Sequence, residues 1–183
     1  MKILVIGDTH GQLNKVREIC KKLTNIDIIA HTGDFLSDAR RLERELGIPV
    51  AAVKGNCDGS CSSDDFEIID TEFGKILLTH GHMQNVNYHL SNLMYKAMEE
   101  KCRAVFFGHT HKSLIDETEG IHFVNPGSLT QPRDGSSGSY AIVRTSRDSF
   151  DASIVYYSTI MGGSKGKQKN GYIRNMLNYS DRF

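Results

Sequence analysis

Residues Ile3 to Ile6 form an uninterrupted apolar run that stops at Gly7-Asp8-Thr9-His10-Gly11. A short run of this kind, closed by glycine, reads as a buried strand ending in a turn. Behind it Leu13, Val16, Ile19, Cys20 and Leu23 recur at helical spacing, which predicts an amphipathic helix over 12–24. The alternation then repeats. A strand at 27–31 ends in Thr32-Gly33-Asp34, a helix over 38–46 ends at Gly47 and Pro49, and a strand at 50–53 ends in Lys54-Gly55-Asn56-Cys57-Asp58. Strand–helix alternation implies parallel strands joined by right-handed crossovers.

The pattern changes after Asp58. Runs at 66–73 and 75–79 flank Phe73-Gly74 and read as a hairpin whose second strand enters Thr79-His80-Gly81-His82. Leu90, Leu93, Met94 and Ala97 share one face of a helix predicted over 86–101, and a buried strand at 103–107 ends in Gly108-His109-Thr110-His111. From 112 to 157 the chain reads as mostly antiparallel strands, broken by Asn125-Pro126-Gly127-Ser128 and by the Gly/Ser-rich stretch 134–139. Residues 162–166 are linker-like. Beyond them Tyr172, Ile173, Met176, Leu177 and Tyr179 cluster at near-helical spacing. The division that follows is a domain over 1–158 and a tail over 159–183. The apolar stripe of the tail suits a short docking helix that helps hold a homo-oligomer, most simply a two-fold dimer.

Composition narrows the class. The 183 residues are 39% hydrophobic and 24% charged, with zero formal net charge, so one domain with a sizeable core is expected. Without a basic surplus nothing draws the body to nucleic acid. No apolar run approaches the ~20 residues that span a bilayer, and a cytoplasmic location without membrane contact is expected. Of four cysteines, Cys20 and Cys102 read as small core residues. Cys57 and Cys61 are too few for a zinc–thiolate site and are expected as free thiols.

The chemistry lies at the strand ends. Five loops, Gly7-Asp8-Thr9-His10, Gly33-Asp34, Gly55-Asn56, His80-Gly81-His82 and Gly108-His109-Thr110-His111, each follow an apolar strand and each carry one or two oxygen or nitrogen ligands. Ligands of α/β sheets gather beyond the strand C-termini, so the five loops point to one crevice. The order D-x-H, G-D, G-N, H-G-H, G-H-x-H resembles the calcineurin-like metallophosphoesterase superfamily, from Met1 to about Tyr157. The length, with Gly55-Asn56-Cys57-Asp58, resembles its small bacterial and archaeal phosphodiesterase branch, which shares its fold with the retromer scaffold subunit.

The resemblance implies an α/β fold, a four-layer αββα sandwich of two mixed β-sheets flanked by helices, with a dinuclear metal site at the strand-end loops. It implies that Asp8, His10 and His111 bind one metal, that Asn56, His80 and His109 bind the other, and that Asp34 bridges both. Mixed nitrogen and oxygen ligands suit two divalent ions, manganese first, with nickel, cobalt, iron or zinc compatible. The implied activity is hydrolysis of a small phosphodiester by hydroxide held between the metals. The alternatives are a phosphomonoesterase, including a protein phosphatase, and a non-catalytic scaffold. One position departs from the superfamily: Cys57 stands where most members have a histidine that protonates the leaving group. Asn56, Cys57 and His82 are the candidate substrate contacts. His31 is expected to pack near Asp34, and His89 and His122 to lie at the surface. Asp38 and Asp58 either orient ligands or cap turns, and Arg133 is either a phosphate-holding guanidinium or a solvated loop residue.

Overall fold

A computed structural model describes residues 1–59 and 65–160 of the chain. The tail helix and its oligomer contact, and any pairing of Cys57 with Cys61, fall outside the described residues.

One five-stranded sheet has the order β10-β9-β1-β2-β3. It comprises β1 (Lys2–Ile6), β2 (Ile28–His31), β3 (Val50–Ala52), β9 (Ser139–Thr145) and β10 (Phe150–Tyr156). The first three strands run parallel, and β9 and β10 add antiparallel neighbours. The second sheet has the order β4-β5-β6-β8-β7, from β4 (Phe66–Thr71), β5 (Gly74–Thr79), β6 (Cys102–Phe106), β7 (Ser113–Thr118) and β8 (Ile121–Pro126). Here β5, β6 and β8 run parallel, with β4 and β7 antiparallel at the two edges.

Period-two alternation along β1 explains the layering. Ile3 and Val5 face a core shared with Ile76, Leu78, Ala104, Phe106 and Val124 of the second sheet. Leu4 and Ile6 face the other way, onto Val16 and Ile19 of α1 (Asn14–Lys22) and Leu42 of α2 (Leu36–Leu46). On the far side Leu77, Val105 and Phe123 pack against Leu93 and Ala97 of α3 (Ser91–Glu99). The order is therefore helix, sheet, sheet, helix, the expected four-layer sandwich of two mixed sheets. A four-residue turn of helix, α4 (Tyr157–Ile160), follows β10. Among the described residues no helix is long and apolar enough to cross a membrane.

Two expectations need correction. The helix predicted over 86–101 begins only at Ser91, because a 3-10 turn at His82–Gln84 and a left-handed Asn85 (φ 57°) come first. The region after 112 is mostly antiparallel as expected, through β7–β8, β9–β10 and β9–β1, with β8 pairing in parallel with β6. Asn125 and Pro126 end a buried strand instead of forming a loop. Helix edges also shift: α1 spans Asn14–Lys22 where 12–24 is predicted, and α2 starts two residues earlier than predicted, at Leu36.

Leu93 is fully buried and is the bolt between α3 and the second sheet. Leu93→Ala is expected to cost about 2–5 kcal/mol by lost transfer energy plus a cavity, measured by urea unfolding. A loss under about 1 kcal/mol would show that α3 contributes little to the core.

Candidate metal centre

Three of the five strand-end loops carry their ligands on left-handed backbone. Asp8, His10, Asp34, His109 and His111 all have positive φ, between 48° and 68°. Left-handed backbone disfavours most side chains, with Asp, Asn and His the least averse. Close packing adds to the constraint. A Cβ on Gly55 would sit 2.2 Å from Asp34 Oδ1, and one on Gly108 would sit 2.9 Å from Asp8 Oδ2. Glycine at these positions lets the loops approach the carboxylates edge to edge.

The turns bring the seven predicted ligands to one rim. Ligand atoms of Asp8, His10, Asp34 and His111 all lie within 4.8 Å of one another. His111 Nε2 is 3.3 Å from Asp8 Oδ1 and 3.4 Å from His10 Nε2. On the other side Asn56 Oδ1 lies 3.0 Å from both His80 Nε2 and His109 Nδ1. Asp34 stands between the groups, its Oδ2 3.9 Å from His10 Nε2 and its Oδ1 3.6 Å from His80 Nε2. Neighbouring ligands about 2.1 Å from one ion are themselves ~3.0–3.4 Å apart, so most of these spacings suit coordination.

Tautomers follow from the outer partners. His80 Nδ1 faces the Thr32 carbonyl at 2.9 Å, and His111 Nδ1 faces the Gln131 carbonyl at 2.8 Å. A carbonyl only accepts, so both Nδ1 atoms carry hydrogen and both neutral rings turn an Nε2 lone pair toward the carboxylates. Asp8 Oδ1 is buried and accepts no hydrogen bond. Lone pairs gathered this way, without Lys or Arg among them, form a set that a divalent cation would satisfy and that protein donors do not.

The surrounding residues hold this arrangement. Gly33 N–H donates to His31 Nδ1 at 3.3 Å, so His31 Nε2 carries hydrogen and donates to Thr9 Oγ1 at 3.1 Å. Thr9 donates in turn to Asp38 Oδ2 at 2.6 Å, which also accepts the Gly11 amide at 2.8 Å. His31 and Asp38 thus brace the loop carrying Asp8 and His10. Asp58 accepts the amides of Leu36 at 2.6 Å and Gly55 at 2.8 Å, joining the Asn56 loop to the start of α2. Ser128 and Thr130 hydroxyls both donate to the Asp8 carbonyl at 3.0 Å. Asn125 Nδ2 donates to the Gly108 carbonyl at 2.9 Å and fixes the last loop.

Of the candidate substrate contacts, Asn56 belongs to the rim. Cys57 is exposed, its amide donating to Asp34 Oδ1 at 2.9 Å and its thiol pushed up to about 11 by burial and the neighbouring Asp34. His82 is half-buried, its ring 5.2 Å from His80 and its Nδ1 without a partner. Arg133 is exposed, and its amide donates to the His111 carbonyl. His89 is exposed as expected, whereas His122 stacks on Phe150 at 4.5 Å. Burial of Asp34 alone would raise its pKa, but the Cys57 amide and His80 outweigh it and the carboxyl lies below its ordinary value.

Comparison with known proteins places this geometry. Residues 1–148 match the calcineurin-like phosphoesterase superfamily domain. The probable metallophosphoesterase YsnB of Bacillus subtilis is 34% identical over 158 residues, covering 86% of this chain and 90% of its own length. The phosphodiesterase MJ0936 of Methanocaldococcus jannaschii is 30% identical over 144 residues, 69% of this chain and 83% of its own. The crystal structure of Vps29 from Entamoeba histolytica, complexed with zinc, superposes with a TM-score of 0.69 at 24% identity, over 86% of this chain and 99% of that one. At that identity the likeness is one of fold.

The imidazoles separate by environment. Asp8 raises the pKa of His111 above 6.5, whereas burial and then His80 lower that of His109. In metal-free protein, protonated His111 stabilises the fold at low pH, and this contribution is lost as pH rises through its elevated value. His109 acts oppositely, and its burial costs stability as pH falls below the unfolded value. An NMR titration of metal-free protein is expected to show His111 titrating above 6.5 and His109 below it. The reverse order would mean that Asp8 does not face His111 in solution.

Proposed function

We propose that this chain, which belongs to the calcineurin-like phosphoesterase superfamily, hydrolyses phosphodiesters with two divalent cations at the strand-end rim. Membership of the family, with the Asp/His cluster, implies a hydrolase that uses divalent metals. The dinuclear reading rests on one observation, that Asp34 turns its two oxygens toward two different donor groups. In this reading Asp8, His10 and His111 hold one cation, Asn56, His80 and His109 hold the other, and Asp34 serves both. The donors are oxygen and nitrogen, which suits manganese first and leaves nickel, cobalt, iron and zinc compatible. Bound there, the cations supply Lewis acidity, a water of lowered pKa and positive charge for the phosphoryl oxygens.

The residues of the chain do the positioning. Nδ1 bonds to carbonyls stop His80 and His111 from rotating away. Asp34, anchored by the Cys57 amide, sets the separation of the two groups. His82, beside His80, is placed to hydrogen-bond a substrate oxygen. Cys57 favours diesters over monoesters. A thiol near 11 stays protonated at neutral pH, so it does not repel phosphate, but it gives its proton up poorly to a departing alkoxide. The name phosphodiesterase on the relative MJ0936 agrees with this preference. A non-catalytic scaffold has no need of a complete donor set on strained backbone, and the enzyme reading accounts for both.

The test is a panel of phosphomonoesters and phosphodiesters assayed after metal removal and with each divalent metal added singly. Diester hydrolysis dependent on added metal is expected, and Asp34→Asn should lower it by at least about a hundredfold, since a neutral amide replaces the shared charge. Hydrolysis insensitive to metal or to Asp34→Asn would remove the dinuclear reading.

The same reading makes rates sensitive to the leaving group. Aryl phosphodiesters should be cleaved well and alkyl ones poorly, and Cys57→His should flatten that dependence while raising monoester activity. A flat leaving-group series in the unmodified protein would show that proton donation is not limited by Cys57.

A further inference from the structure

We propose that the cleft beside Gly11 receives one esterified arm of the substrate, and that this arm carries a second phosphate; the inference rests on the phosphodiesterase reading above. The cleft encloses about 310 Å³ and is lined by Gly11, Gln12, Lys15, Arg17, Arg41 and Thr130, among others. It adjoins the rim directly. Gly11 follows His10 in the chain, and the Thr130 hydroxyl holds the carbonyl of Asp8. A diester whose scissile phosphate sits at the rim therefore has one arm beside this opening.

The lining says what that arm carries. Three cationic side chains face the cleft and no carboxylate does, although the chain as a whole has no net charge. The cations are held in place. Glu45 accepts Arg17 Nε at 2.7 Å, Arg17 Nη2 at 3.1 Å and Arg41 Nε at 2.8 Å. Lys15 Nζ donates to the carbonyls of Leu129 at 2.6 Å and Ser137 at 3.2 Å. Glu45, and Asp38 behind Gly11, offset two of the three charges, and a net positive charge remains. Arg41 uses only Nε in this network, so its two terminal nitrogens keep their N–H groups for a ligand. A guanidinium fork with free donors matches the geometry of a phosphate. An uncharged or aryl arm would find little apolar surface here.

The test varies only the retained arm. Metal-loaded protein is given p-nitrophenyl phosphodiesters whose other arm is ethyl, propyl or butyl, each with and without a terminal phosphate. For at least one length the terminal phosphate should raise kcat/KM by about tenfold, the worth of one charge-assisted hydrogen bond. Arg41→Gln should bring the ratio close to one, and Arg41→Lys should restore part of it. Calorimetric titration with the product alkyl bisphosphates, against the alkyl monophosphates, should give the same preference without turnover. Metal-dependent cleavage with equal rates and equal affinities in each pair overturns the cleft assignment and leaves the phosphodiesterase reading standing. A preference that survives Arg41→Gln overturns it as well. Cleavage of no diester with any metal overturns both.

Discussion

Asp34 is almost wholly buried, accepts the amide of Cys57 and faces imidazoles on two sides. Asp8, equally buried, lies close by without a cationic Lys or Arg partner. Two carboxylates withdrawn from water in this way are costly unless positive charge compensates them. The Cys57 amide and His80 supply part of that compensation at Asp34, and Asp8 draws on His111. Divalent cations held at the rim of the folded protein would supply the rest. Metal binding and folding stability would then be coupled through these residues.

That cost is carried by the sandwich beneath. One donor group takes Asp8 and His10 from the loop after β1 and His111 from the loop after β6. The other takes Asn56 from the loop after β3, His80 from that after β5 and His109 from that after β6. Each group thus draws on both sheets, and their spacing depends on the core of Ile3, Val5, Ile76, Leu78 and Phe106 that joins the layers. Crossing bonds finish the register. The His109 amide reaches Asp8 Oδ2, His80 Nδ1 reaches the Thr32 carbonyl, and the Gly108 amide reaches the His80 carbonyl. Loops braced against one another at this density tolerate left-handed ligands that isolated turns would not.

Most of the rim was legible in the chain because two independent patterns coincide there. Apolar runs locate strand ends, and Asp, Asn and His directly after them locate the donors. The family resemblance then ordered those donors into two groups. What stayed hidden depends on long-range contact. Ser128 and Thr130 stand about 120 residues from Asp8 in the chain, and nothing in their spacing announces that they hold its carbonyl. Asn125 reads as part of a loop because Asn-Pro-Gly favours turns, whereas antiparallel pairing with Leu114 and Ser113 of β7 keeps the strand going through Pro126. The late start of α3 has a similar cause: Leu90 fits the helical stripe, but left-handed Asn85 turns the chain first. His31 shows no motif, and only the buried path through Thr9 to Asp38 reveals its part.

The claim on which the rest depends is that the rim holds two cations joined by Asp34. Crystals of the manganese-loaded protein, with anomalous scattering recorded at the metal edge, test it directly. The account predicts two anomalous peaks ~3.5–4 Å apart, with Asp34 contacting both, Asp8, His10 and His111 around one, and Asn56, His80 and His109 around the other. A single peak among Asp8, His10, Asp34 and His111, at saturating manganese, would contradict it.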